Sequence, residues 1–167
     1  MCAGSGGWAT AAIRTTGVLI LGVDPGLVSG AWGLIDHHGA YRACGPIPHA
    51  DRRIDVRQWR LELADAMNLQ DCVVALESVH SMPGQGVAST FAFGRAVGAI
   101  QALLDLLPWP VTLAEPRVWK REMGVTADKG SSLALARQLW PAAPLKRVKD
   151  HGRAEALLLA EWRRRGL

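Results

Sequence analysis

The sequence predicts an α/β domain built on one mixed sheet, three antiparallel strands followed by two parallel ones, with helices flanking it. Two observations carry this prediction. Short apolar runs, among them Val18 to Val23, Cys72 to Leu76 and Val111 to Ala114, alternate with longer segments whose apolar residues recur at helical spacing. Only short polar or Gly/Pro turns separate the first three runs, which suits antiparallel pairing. Helices separate the later runs, which suits right-handed parallel crossovers.

Size and charge bound the reading. At 167 residues and 49% hydrophobic content, the chain is one domain able to bury a substantial core without disulfides. Residues 1–16, with Gly4, Ser5, Gly6 and Gly7, read as a loose leader, and 17–167 as the domain. Nineteen Lys and Arg against fifteen Asp and Glu give a net charge of +4, which favours a polyanionic partner. Cys2, Cys44 and Cys72 lack metal-ligand spacing, and their odd number fits a reducing compartment. No apolar run approaches the ~18 residues that span a bilayer, so no membrane partner is expected.

The stretch from Val18 to Gly26 organises the chain: an apolar strand delivers Asp24 to a Pro25-Gly26 turn. Taken alone, Asp24 is equally a turn former and a functional acid. Gly30 to Asp36 reads as a second strand and Ala40 to Ile47 as a third, with His37 and His38 solvated at the turn between them. From Asp51, a reasonable cap, Ile54, Val56, Trp59, Leu63 and Met67 recur at helical spacing. Arg52, Arg53, Arg57 and Arg60 read as the solvated face of that helix. Cys72 to Glu77 repeats the logic of the first strand by ending on a carboxylate. Parallel pairing of the two would set Asp24 and Glu77 on one rim, although a strand-end acid facing solvent fits Glu77 alone.

A Gly- and Pro-bearing loop, Ser78 to Gly86, leads into a helix from Val87 to Leu107. Its Ala88, Ala92, Gly94, Ala96, Gly98 and Ala99 form a small-residue face suited to close packing, on the chain's own sheet or on a second subunit. Val111 to Ala114 is the fifth strand. Pro116 starts a short helix carrying Trp119 and Lys120, a further helix runs from about Ser131 to Trp140, and the last opens at Asp150-His151. His151 and Glu155, four apart, share one helical face, while Asp150 reads as a cap or as a ligand.

Four segments in this order, Ile20 to Gly26 with Gly30, Ala75-Leu76-Glu77, Phe93 to Gly98 and Asp150 to Leu157, are similar to those of the RuvC-like Holliday junction resolvases of the ribonuclease H-like superfamily. Met82 to Gly86 and Trp119-Lys120 resemble the phage and organellar branch. The resemblance implies a ribonuclease H-like fold and a structure-selective endodeoxyribonuclease that resolves four-way DNA junctions by paired, metal-dependent phosphodiester hydrolysis in recombination and repair. It also implies a homodimer with two active sites, no nucleotide cofactor, and the cytoplasm of a bacterial or phage-infected cell, or an organelle.

The same resemblance implies site residues. Asp24, Glu77 and Glu155 would hold two Mg²⁺ or Mn²⁺ ions per site, Asp24 bridging both. Many members carry a further ligand three residues before the last; here that position is Gly152, so His151 or Asp150 must supply it, His151 being favoured. Lys120 would neutralise charge in the transition state, or is a plain surface lysine. Lys146, Arg147, Lys149 and Arg153 would seat phosphates, and Ser81, Met82 and Gln85 would touch bases near the cut. Phe91 and Phe93 either stack on an unpaired base or pack in the core. Two rivals share the DNA-processing reading: another nuclease of the same fold, acting on RNA-DNA hybrids or general branched DNA, and a catalytically silent junction-binding module. An ATPase fragment of the actin and sugar-kinase type is disfavoured by length and by the lack of a second Gly-rich phosphate loop.

Overall fold

The computed structural model describes residues 17–67, 70–80, 84 and 86–167. The leader 1–16 and the expected base-contacting residues Ser81, Met82 and Gln85 lie outside the described residues. Strands β1 (Leu19–Asp24), β2 (Ala31–Asp36), β3 (Tyr41–Pro46), β6 (Cys72–Glu77) and β7 (Val111–Ala114) form one five-stranded sheet in the order β3-β2-β1-β6-β7. β1 and β2, and β2 and β3, pair antiparallel. β1 and β6, and β6 and β7, pair parallel. The expected mixed sheet is therefore present. β1 is apolar from Leu19 to Val23 because it is central and covered on both sides.

Side chains alternate across the sheet, and the alternation decides what each face buries. Ile20, Ile35, Val73 and Ala75 pack with helices α3 (Pro116–Met123), α4 (Lys129–Leu139) and α5 (His151–Arg165) in one core layer. Leu19, Leu21, Val23, Val74 and Leu76 pack with α1 (Val56–Met67) and α2 (Val87–Asp105) in the other. By this period of two, Asp24 and Glu77 fall on the α5 face. The last helix crosses that face at close range: a Cβ on Gly22 would strike the Ala156 carbonyl oxygen, and one on Gly33 would lie 2.7 Å from the Leu157 nitrogen.

Two expectations are corrected. The segment after β3 does not run straight into a helix from Asp51. A small antiparallel hairpin, β4 (His49–Ala50) and β5 (Arg53–Ile54), comes first, and its turn holds Asp51 and Arg52 at φ of 49° and 58°. The cap is instead Asp55, whose Oδ1 accepts the Gln58 N–H at 2.9 Å. The absence of a bilayer-length apolar run does not hold either: α2, at 19 residues and a mean hydropathy of 1.4, is long and apolar enough by length and composition to cross a membrane. Its small residues raise hydropathy without a continuous bulky surface. In this fold α2 lays Ala96, Ile100, Leu103 and Leu104 into the core, while a Cβ on Gly94 or Gly98 would meet nothing within 4 Å. Of the two partners weighed for its small-residue face, the sheet takes Ala96 and leaves both glycines open.

Candidate active site at the carboxyl rim of the sheet

β1 and β6 pair in parallel with Val23 opposite Leu76, so the next residues, Asp24 and Glu77, end neighbouring strands on the same face. The start of α5 lies over them. A Cβ built on Gly152 would come 3.3 Å from Asp24 Oδ2 and 2.7 Å from the Ser29 carbonyl oxygen. Gly152, where the resemblance would place a further ligand, thus lies against Asp24, but the loop after β1 leaves no room there for a side chain. Glu155, one turn further along α5, is 9% exposed and close enough to Glu77 to push its pKa up.

Each acid is held by a neighbour. The Trp119 indole N–H, on the fully buried side chain of α3, donates to Glu77 Oε1 at 3.0 Å. Glu155 Oε1 accepts from Lys120 Nζ at 2.9 Å and from the buried Ser132 hydroxyl of α4 at 3.2 Å. Lys120 also lies over the Trp119 ring, 5.2 Å from its centroid. The helix spacing explains this pair: Pro116 fixes the start of α3, so its buried face carries Trp119 inward and Lys120 beside it. Burial raises the Glu77 pKa, and Glu155 adds to the effect. The Trp119 hydrogen bond and the Lys120 charge oppose it without cancelling it.

Asp150 is placed differently. It is 2% exposed and ends a 3₁₀ turn, Val148–Asp150. Its Oδ2 accepts the Arg147 backbone N–H at 2.8 Å, and its Oδ1 accepts from the Arg147 and Arg153 guanidinium groups. Burial alone would raise its pKa, but these hydrogen bonds outweigh that and hold it below the usual carboxylate range. His151 turns Nδ1 toward the Val148 carbonyl at 3.3 Å. A carbonyl only accepts, so in that contact Nδ1 is the donor and Nε2 is turned away from it.

The expected phosphate-seating residues divide in the same way. Arg147, Lys149 and Arg153 line one cleft with Ser29 and Gly30 of the loop after β1. Lys146 is outside that lining, and its carbonyl oxygen accepts from Arg137 at 2.9 Å. Phe91 is 67% exposed, whereas Phe93 is partly buried. Trp119 and Ser132 were not among the expected site residues. Trp119 had a weak signal in its adjacency to Lys120; Ser132 had none.

The donor set is of the kind that suits hard divalent cations: carboxylates from β1, β6 and α5 face one rim, and burial together with the Glu155 charge disfavours a bare Glu77 carboxylate there. Among the described residues, no group of three or more His, Cys, Asp or Glu side chains stands close enough together to hold a metal ion as placed. The acids line a rim, with the Lys120 ammonium seated against one of them.

No family model matches the sequence. A curated protein, the chloroplastic Holliday junction resolvase MOC1 of Chlamydomonas reinhardtii, is 38% identical over 85 residues, 48% of this chain and 10% of that protein. The chain thus spans about a tenth of the length of that relative. Among solved structures, RuvC from T. thermophilus in complex with a Holliday junction substrate aligns at a TM-score of 0.66 and 16% identity, covering 87% of this chain and 91% of that one. Thermus thermophilus RuvC without that description aligns at 0.65 and 16% identity, over 89% and 96%. The fowlpox virus Holliday junction resolvase aligns at 0.56 and 16% identity, over 89% and 99%. The fold is that of RuvC, ribonuclease H-like, as the sequence motifs implied.

Proposed function

We propose that this RuvC-like chain is an endodeoxyribonuclease that resolves four-way DNA junctions by metal-dependent hydrolysis of phosphodiester bonds. The observation that supports this most is the convergence of Asp24, Glu77 and Glu155 from three elements onto one face of the sheet rim. The stretch shared with a chloroplastic resolvase and the fold shared with a RuvC bound to a junction point to the same substrate. The reading applies to a bacterial or phage-infected cytoplasm and equally to an organelle.

Asp24, Glu77 and Glu155, with the His151 imidazole rather than the Asp150 carboxylate that Arg147 and Arg153 already occupy, are the residues that would hold two Mg²⁺ or Mn²⁺ ions. Such ions, when bound, activate a water and stabilise the departing 3′ oxygen. The chain's own groups set the geometry. Trp119 fixes the Glu77 carboxylate through its indole N–H, and Ser132 fixes Glu155. Lys120 brings a positive charge to the same rim, where it would offset charge building on the attacked phosphate. Arg147, Lys149 and Arg153, in the cleft beside the Asp24 loop, would seat flanking phosphates, with Lys146 nearby in sequence. Ser81, Met82 and Gln85 are proposed to touch the bases at the cut.

A junction presents two strands for symmetric cutting, which suits a two-fold dimer. The open face of α2 at Gly94 and Gly98 is the proposed interface, and sedimentation should show Gly98→Leu weakening self-association. The direct test is cleavage of a mobile four-way junction under Mg²⁺, with both strands mapped, beside an RNA-DNA hybrid and a flap. Paired nicks on the junction, lost in Asp24→Asn while binding survives, are expected. Preferential cleavage of the hybrid or flap, or an Asp24→Asn protein that still nicks, overturns the reading.

A further inference from the structure

We propose that Arg52, Arg53 and Arg95 form a second phosphate clamp, which grips the backbone of a DNA arm away from the cut; the proposal rests on the junction-cleaving reading above. The β4–β5 hairpin is two residues long on each side. Its turn places Asp51 and Arg52 in the left-handed region, at φ 49° and 58°. Two-residue hairpin turns of this kind favour Asn-Gly, because both central residues need positive φ. An arginine at the second position costs backbone energy that glycine would avoid, so hairpin stability gives no reason for it.

What the turn achieves is placement. A cavity of ≈ 220 Å³ lies between the hairpin and α2, lined by Arg52, Arg53, Arg95, Ala96, Ala99 and Leu27. The two alanines leave its floor on α2 shallow, so three guanidinium-bearing side chains share one concave surface. Among the described residues none of the three has a carboxylate within ion-pair distance; Arg95 rests only over the Phe91 ring, 5.8 Å from its centroid. Arg147, Arg153, Arg164 and Arg165 are by contrast all paired with buried acids. Three like charges facing one cavity repel each other unless an anion joins them, and the guanidinium fork matches phosphate oxygens in pairs.

Position selects a nucleic-acid backbone as the source of that anion. Leu27 belongs to the loop that follows Asp24, so the cavity adjoins the loop that serves the catalytic rim. Ile54 anchors the hairpin in the core layer of α1 and α2, the layer opposite α5. A strand leaving the rim toward that side of the sheet would pass over the three arginines. The contact is to phosphate and carries no sequence preference.

The test measures junction affinity against salt concentration by fluorescence anisotropy, in the full chain with Asp24→Asn as the non-cleaving parent. Each neutralised phosphate contact contributes about −0.9 to the slope of log K on log salt. Arg53→Gln and Arg95→Gln should each reduce the magnitude of that slope by about 1 and weaken binding several-fold at low salt. Arg52→Gly should lower affinity in the same way while the Tm holds or rises, a combination that a purely structural arginine would not give. Slopes unchanged in all three variants overturn the clamp, as do unchanged slopes with weakened self-association, which would assign the arginines to a subunit interface. A parent that binds no junction at all overturns the functional reading itself.

Discussion

Asp150 accepts a backbone N–H and two guanidinium groups, and its pKa is held down. Glu77, on the rim, accepts one indole N–H; burial first, and the Glu155 charge after it, push its pKa up. One carboxylate has its burial outweighed by hydrogen bonds and charge, and the other does not. A carboxylate whose lone pairs are already filled stabilises the chain that fills them. One whose burial its partners leave uncompensated costs stability when ionised and is the better place for a cation.

The largest expected effect on this contrast is that of Glu77→Gln, which keeps an acceptor for Trp119 and removes the charge. Loss of metal-dependent cleavage by at least about 100-fold is expected, the upper end of what an outer-sphere partner alone costs. Stability should move the other way. A raised folded pKa means the carboxyl contributes most below its unfolded value, ~4.3, and loses that contribution as pH rises through the folded value. Calorimetry should therefore show Glu77→Gln with the higher Tm at pH 7.5 and no advantage near pH 4; a lower Tm at neutral pH breaks the contrast.

Asp150→Ala should act in the opposite sense, costing about 2 kcal/mol by stripping the Arg147 backbone N–H and the largely buried Arg153 guanidinium of their acceptor, read as a lower urea midpoint. Because its folded pKa is depressed, the stability Asp150 supplies is present above ~3.9 and lost as pH falls through the folded value. Trp119→Phe, smaller still, removes the hydrogen bond that pulls the Glu77 pKa down, so the acid limb of the pH–rate profile should shift to higher pH, with cleavage there falling up to ~10-fold. Ser132→Ala should have the least effect, about 1 kcal/mol by chemical denaturation, since Lys120 still holds Glu155. A Ser132→Ala protein as damaged as Asp150→Ala would show that Glu155, too, is a structural acid.

The sheet was legible because its strands differ in how they are joined: polar turns between the first three and helices before the last two are visible in the chain. The rim was legible for the same reason, since two apolar runs that each end on a carboxylate can pair in parallel only with those ends together. Pairings between side chains on different elements were not. Trp119 and Glu77 are 42 residues apart and Ser132 and Glu155 are 23 apart, and no local period links them. Asp51 and Asp55 are equivalent as caps by residue type; the choice of Asp55 follows from a hairpin whose strands are too short to show alternation.

The fit of α5 against Gly22 and Gly33 makes the interval between the first acid and the last a backbone dimension instead of a matter of rotamers. Main chain rests on main chain there, so those two glycines act as a spacer of fixed thickness beneath the acid-bearing rim. A single methyl group at Gly33, buried between sheet and helix, would pry the helix upward and, on the proposed function, detune cutting while leaving every acid chemically intact.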